Sequence, residues 1–200
     1  MAALFAEPFA DVAAIPTYYL SRLTREHVTV ALGGDGGDEA LGGYQRYLAL
    51  KVLGRLARVP GGKWLKQLRP LLPYASTERS RVRYLRELLG IVDRSPREQY
   101  RAVLVGMINE EQWKSLYSDG FRKSVGDADD QPFLAGWDDA HAPNDLARAM
   151  ASDTLGYIPE CLNVKLDICS MASGLEVRSP FLDHKLVEFR TNLDKRNMPT

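Results

Sequence analysis

Val28-Thr29-Val30-Ala31-Leu32-Gly33-Gly34-Asp35-Gly36-Gly37-Asp38-Glu39 is the stretch that decides the fold. Its first five residues are β-branched or apolar and a glycine cluster stops them, as in a buried parallel strand. Upstream, Val12, Ile15, Tyr19 and Leu23 recur every three or four residues, which predicts a helix over 11–27 with Pro16 near its first turn. Downstream, the pattern is helical from Asp38 to about Arg58, where Pro60-Gly61-Gly62 closes it. Helix, buried strand, glycine loop and helix make a piece of a doubly wound α/β sheet, and ligands of such sheets gather at the carboxyl ends of the strands. The loop after Leu32 is where chemistry should be sought.

Further helical patterns fall at 63–71, 78–91, 96–105 and 109–117, separated by prolines and glycines. Asp127 to Pro143 is acidic and turn-rich and reads as a surface loop. Asn144 to Gly156 reads as a helix with Asn144 as N-cap, followed by helices over Leu162–Ser173 and Phe181–Leu193. No internal repeat divides the chain, so one α/β, predominantly helical domain with few parallel strands is expected over 1–200. Only one stretch reads convincingly as a strand. A lone parallel strand leaves its backbone groups unpaired, so its partners are expected outside these residues.

Composition excludes several classes. At 45% hydrophobic and 26% charged, the chain can build a real core. No apolar run approaches the roughly 20 residues of a membrane span, and the N-terminus lacks a basic region ahead of an apolar one. Cys161 and Cys169 stand without a CxxC pair or neighbouring histidine ligands, so they read as small buried residues of a reducing, cytoplasmic protein. Zero net charge hides an uneven distribution: residues 46–101 hold fourteen Lys/Arg against four acids. Such a stripe could face a polyanion, but its basic residues alternate with Leu, Val and Tyr at helical spacing, as on solvated helix faces. No nucleic-acid-binding signature accompanies it, and nucleic-acid binding is not expected.

The glycine loop carries the strongest chemical signal. Gly33, Gly34, Gly36 and Gly37 let backbone approach a ligand closely. A helix starting near Asp38 would point its free N–H groups at phosphate or carboxylate oxygens. Asp35, Asp38 and Glu39 would repel a polyphosphate, and they make sense beside a magnesium ion, a substrate ammonium or a developing proton. The plainer reading is a tight turn whose acids complement a helix dipole. A P-loop is excluded because no Lys follows the loop, and the glycines do not space as a dinucleotide fingerprint. An EF-hand counted from Asp35 would put Arg46 where a bidentate Glu is needed.

Strand–GDGGDE–x–x–GGY resembles the signature of the asparagine synthase domain family, whose members share an ATP-pyrophosphatase fold of the adenine-nucleotide α-hydrolase type. A second block, Lys165-Leu166-Asp167-Ile168-Cys169-Ser170-Met171 with Leu175-Glu176-Val177-Arg178-Ser179-Pro180-Phe181-Leu182-Asp183, resembles the family's K-x-D-x-x-S-M-x-x-x-L-E-x-R-x-P-F-L-D run. A weaker third block is Glu7-Pro8-Phe9-Ala10-Asp11 with Pro16-Thr17-Tyr18. Taken by itself, the second block has two readings. Lys165, Asp167, Glu176 and Arg178 could pair with one another beside a buried Pro180-Phe181-Leu182. Alternatively, Arg178 and Lys165 could face a carboxylate or phosphate, held by Asp167 and Glu176. Asp183-His184 reads as a helix cap, and no metal cluster is expected.

The resemblance implies a reaction with ATP and Mg2+ in which the aspartate side-chain carboxylate is adenylated and glutamine-derived ammonia then gives asparagine. It implies nucleotide contacts along Leu32, Gly33, Gly34, Gly36 and Gly37. Asp38 and Glu39, with Lys165 and Asp167, would bind the amino-acid substrate. Asp35 would receive or orient the ammonia proton, and Arg178 would offset anionic charge. Departures from the family pattern are Gly33, where a Ser is usual, Ala6 for an acid, and Ala13 for a hydroxylic residue. The family's Ser-Gly-Gly-x-Asp-Ser loop and N-terminal glutaminase nucleophile are not found in these residues. The reading therefore expects a partial domain, partnered by the glutaminase and N-terminal synthetase segments. A related amide- or β-lactam-forming ligase and a non-catalytic remnant are the alternatives.

Overall fold

A computed structural model describes residues 4–73, 81–104, 115–125, 134, 136–138 and 142–189. The chain divides into two compact units, one of Met1–Gly43, Pro132–Pro143 and Met150–Thr200, the other of Tyr44–Gln131 and Asn144–Ala149.

In the first unit, Asp11 Oδ1 accepts the Ala13 N–H at 2.8 Å and leads the chain into α1 (Ala14–Arg25). The buried positions of α1 are Ala14 and Ser21, and the helix packs on α8 (Val164–Met171), where the Cys169 thiol points to the Ala14 carbonyl at 3.4 Å. Small residues on both sides let the two helices approach. The predicted apolar stripe does not serve this contact: Val12, Ile15, Tyr19 and Leu23 are 54–73% exposed. The stripe was legible, but a different face of the helix is buried.

Strand β1 (Val30–Leu32) pairs in parallel with β2 (Glu176–Arg178), in the register Val30↔Glu176, Ala31↔Val177 and Leu32↔Arg178. The expectation that β1 finds its partners only outside these residues is therefore corrected. β2 is three residues long and carries Glu and Arg around one Val, so it lacks the continuous apolar run by which a buried parallel strand is recognised.

The predicted helix from Asp38 to Arg58 is two helices, α2 (Gly37–Leu41) and α3 (Gln45–Arg58), because Gly42 takes φ 73° and ends the first. Later in the chain α7 (Asp145–Ser152) is capped by Asn144, whose Oδ1 accepts the Ala147 N–H at 3.0 Å, as expected. The chain then widens into π-helix over Asp153–Asn163 and runs into α8 without the predicted break near Gly156. Pro159 inside that stretch has no N–H for the ladder, a physical reason for local widening. Beyond β2, Pro180–Leu182 is a short 3-10 turn, and helix begins only at 184. Lys185 N–H bonds Asp183 Oδ1 at 2.9 Å, so Asp183 is the cap the sequence suggested. Core residues of this unit include Ala14, Ile158, Leu162, Cys169 and Leu175.

The second unit is helical. Leu53 of α3, Leu88 of α4 (Arg81–Ile91) and Val92 form its core with Ala49. α5 (Pro96–Leu104) starts with a capping box, Ser95 N–H to Glu98 Oε2 at 2.9 Å and Glu98 N–H to Ser95 Oγ at 3.3 Å. The buried Gln99 amide donates to the carbonyls of Ile91, Val92 and Arg94, satisfying the C-terminal turn of α4. Gly62–Leu71 is a 3-10 helix, and α6 spans Asp119–Val125. In the basic stretch, Lys51, Arg55 and Arg58 are exposed on α3, away from buried Tyr47, Leu50 and Leu53. Glu87 pairs with Arg83 and Asp93 with Lys66, the arrangement of solvated helix faces. Most of the predicted segments 109–117 and 127–143 lie outside the described residues. No helix among the described residues is long and apolar enough to cross a membrane.

Candidate active site at the strand ends

β1 and β2 end side by side, and the Gly33 N–H continues the ladder to the Arg178 carbonyl at 2.8 Å. The two sequence blocks thereby meet: the glycine loop leaves β1, and Ser179 with the 3-10 turn leaves β2. Alternation in strands sets Ala31, Gly33, Val177 and Ser179 on one face, and Val30, Leu32, Glu176 and Arg178 on the other.

Asp35 folds back over the first of these faces. A Cβ on Gly33 would lie 2.9 Å from Asp35 Oδ2, 3.2 Å from Val177 Cγ1 and 3.6 Å from Ser179 Oγ. The space that a serine side chain would take at 33 is thus occupied by the Asp35 carboxylate, which gives the departure at this position a physical correlate. The Gly37 N–H closes the loop onto the Gly34 carbonyl at 3.1 Å, and α2 follows. Gly36 caps α2 with φ 88°, and a Cβ there would collide with the Leu182 side chain. The Phe181 ring lies against Gly37. The turn Pro180–Leu182 is therefore packed onto the glycine loop but has no buried residue, which corrects the expectation that it is core.

The remaining expected site residues separate. Asp38 is exposed, with its carboxylate alongside Gly43. Glu39 is 1% exposed, so α2 turns it into the interior and away from the open loop where a substrate contact was expected. Leu32 and Arg178 project from the face opposite Asp35, and the Arg178 guanidinium is held by Glu176 at 2.7 Å with both side chains largely exposed. Lys165 is buried and pairs with Asp11 at 2.8 Å rather than with Asp167. Residues two apart on a helix leave it on opposite sides, and Asp167 is exposed. Of the four charges, then, only Glu176 and Arg178 join as expected.

In the sequence Asp11 stands only as part of a motif; its role emerges from the fold. Burial pushes its carboxyl pKa up, but the Lys165 ammonium and the Ala13 N–H outweigh this and hold it below the ordinary 3.8. Burial and the Asp11 charge push the nearby Cys161 thiol up. Ser179 likewise carries no mark of a site residue in the sequence. The signal that finds it is strand alternation once the β1–β2 register is known.

A Cβ on Gly34 would meet nothing within 4 Å, so backbone is accessible at the strand end. Among the described residues no group of three or more His, Cys, Asp or Glu is placed to hold a metal ion.

The family model described as asparagine synthase matches residues 1–197. "Asparagine synthetase [glutamine-hydrolyzing] 1" of Bacillus subtilis is 29% identical over 181 residues, covering 90% of this chain and 27% of that protein. The "Putative asparagine synthetase [glutamine-hydrolyzing]" of Mycobacterium bovis is 29% identical over 194 residues, covering 94% and 27%. A similarly named "Putative asparagine synthetase [glutamine-hydrolyzing] 2" of Methanocaldococcus jannaschii is 42% identical over 66 residues, covering 30% and 13%. No solved structure matches. The chain spans about a quarter of the length of the first of these relatives. Sharing its motif blocks with a family model over nearly all of its residues, the chain belongs to the asparagine synthase family.

Proposed function

We propose that this chain forms one wall of the site of an ATP-dependent, amide-forming ligase acting on aspartate. The observation that carries the reading is the meeting of the glycine loop and the Ser179–Leu182 segment at the ends of two paired parallel strands, the place where such sheets take ligands. ATP with magnesium would supply the adenylyl group that activates the side-chain carboxylate, with pyrophosphate leaving, and ammonia would then displace AMP to form the amide; relatives are named as glutamine-hydrolysing, which makes glutamine the source of that ammonia.

The chain's own residues have distinct parts in this reading. Open backbone at Gly34 and its neighbours lies against the nucleotide. Asp35, folded over Gly33, receives or orients the proton of the attacking ammonia. Asp38, exposed beside it in sequence, holds the substrate ammonium. Arg178 reaches the anion only if its guanidinium leaves Glu176, since alternation sends the side chain to the other face. Lys165 acts through its buried pair with Asp11, orienting the backbone around it, and not as a direct ligand. The test is a titration of the 15N-labelled chain with Mg-ATP and aspartate, followed by NMR. Amide shifts concentrated at 33–38 and 179–182 support the reading. Shifts centred in the second unit, or none at about 10 mM of either ligand, overturn it.

A further inference from the structure

Ser179 stands at the start of the Pro180–Leu182 turn, the position where a serine ordinarily uses its hydroxyl to cap the free N–H groups that follow. Here it makes no such bond. Its backbone is extended, at φ −111° and ψ 90°, so the alternation of β2 carries on for one residue past the strand. The side chain reaches across to β1: Oγ lies 3.6 Å from the point a Cβ on Gly33 would take, and Asp35 Oδ2 lies 2.9 Å from the same point. Among the described residues neither side chain has a hydrogen-bonding partner. The backbone beside them is equally unused. The N–H groups of Gly34, Asp35 and Gly36 donate to no acceptor among the described residues, whereas that of Gly33 continues the ladder and that of Gly37 closes the turn.

We infer that Ser179 is a phosphate-binding residue, whose hydroxyl donates to a phosphoryl oxygen of the nucleotide beside the open backbone at Gly34. The inference rests on the nucleotide reading above and adds to it a residue from outside the glycine loop, delivered by the neighbouring strand. Three N–H groups and a hydroxyl are gathered at one strand end, and donors left unmade cost free energy. An anion with several oxygens answers such a set. Ammonium is the rival ligand for the Asp35 and Ser179 oxygens, but it has no acceptor and would leave the N–H groups unanswered. A hydroxyl also fits a place next to a carboxylate. Being neutral, it is not drawn into an ion pair with Asp35, as a lysine or arginine there would be.

The 15N-labelled wild type, Ser179→Ala and Ser179→Thr are titrated with AMP and with adenosine at matched ionic strength and followed by NMR. Ser179→Ala is expected to weaken AMP binding about tenfold, the loss of one hydrogen bond to a charged acceptor. Adenosine, which has no phosphate, should stay within about twofold. Ser179→Thr keeps the hydroxyl and should bind AMP within about threefold of the wild type. Wild type and Ser179→Ala that bind AMP equally at the loop overturn the role of Ser179 and leave the nucleotide reading standing. Equal losses for AMP and adenosine overturn it too, since the side chain would then be holding the loop. So does a Ser179→Thr variant as weak as Ser179→Ala. Ammonium chloride that shifts the Asp35 and Ser179 amides, with AMP affinity unchanged in Ser179→Ala, makes ammonium the ligand and overturns it. A wild type that binds neither AMP nor Mg-ATP brings down the nucleotide reading and this inference with it.

Discussion

Lys165 Nζ donates to Asp11 Oδ2 at 2.8 Å across 154 residues of chain, joining the segment before α1 to helix α8. Both side chains are mostly buried, 11% and 18% exposed. Removing one partner strands a buried charge. Asp11→Ala is expected to cost about 3 kcal/mol, read as a drop in the midpoint of urea unfolding. The pair also has a pH signature. A carboxylate held below its unfolded value contributes stability that is complete above that value and lost as pH falls through the folded one. Stability should therefore decline below about pH 4, and Asp11→Asn should flatten that part of the curve. An unchanged acid limb in the variant would show that other carboxylates dominate.

The glycine loop gives a paired test. Gly36 stands at φ 88° and leaves no room for a Cβ beside Leu182, whereas a Cβ on Gly34 meets nothing. Gly36→Ala should destabilise by about 2 kcal/mol or more, from left-handed strain and overpacking together. Gly34→Ala should stay within about 1 kcal/mol of the wild type. Equal effects in thermal unfolding would mean that the loop is not packed as described.

The two thiols are free, Cys161 partly and Cys169 fully buried. Burial raises both thiol pKa values, with the Asp11 charge adding to the effect at Cys161. Less thiolate at neutral pH means slow alkylation. Iodoacetamide at about pH 7.5 should label Cys161 slowly and Cys169 more slowly still, with full labelling only after unfolding. Eight residues apart on one helical run, the two lie about 12 Å apart along the axis, beyond disulfide reach. An intramolecular bridge on a non-reducing gel would contradict that continuous run.

Asp38 separates substrate recognition from loop structure. If its exposed carboxylate holds the substrate ammonium, Asp38→Asn should weaken aspartate binding roughly tenfold, about 1.4 kcal/mol. Mg-ATP affinity in the same NMR titration should change less than about threefold. Parallel loss of both ligands would reassign Asp38 to holding the loop.

Much of the local structure around the loop was legible because it depends on neighbouring residues. The position of β1, the glycine loop and the start of α2 at Gly37 follow from a short apolar run, four glycines and two acids, but the expected burial of β1 is corrected: Val30 is 39% and Leu32 74% exposed. The Asn144 and Asp183 caps follow from side chains that reach only three residues. The Glu176–Arg178 pair and the missing Lys165–Asp167 pair show where such reading stops. Both have the same spacing of two, which puts residues together on a strand and apart on a helix. Because β2 was not recognised as a strand, sequence spacing could not distinguish the two outcomes.

By itself, then, the sequence determined the family, the strand–loop–helix at Val30–Leu41 and the order of the motif blocks, since each depends on residues adjacent in the chain. Only the tertiary structure decided that β2 pairs with β1, that Asp11 takes Lys165, that Asp35 and Arg178 leave the sheet on opposite faces, and that α1 buries Ala14 and Ser21 instead of its apolar ridge. Those outcomes depend on register and packing between segments more than a hundred residues apart. There the free energy of close approach between backbones outweighs the pattern that any one segment carries.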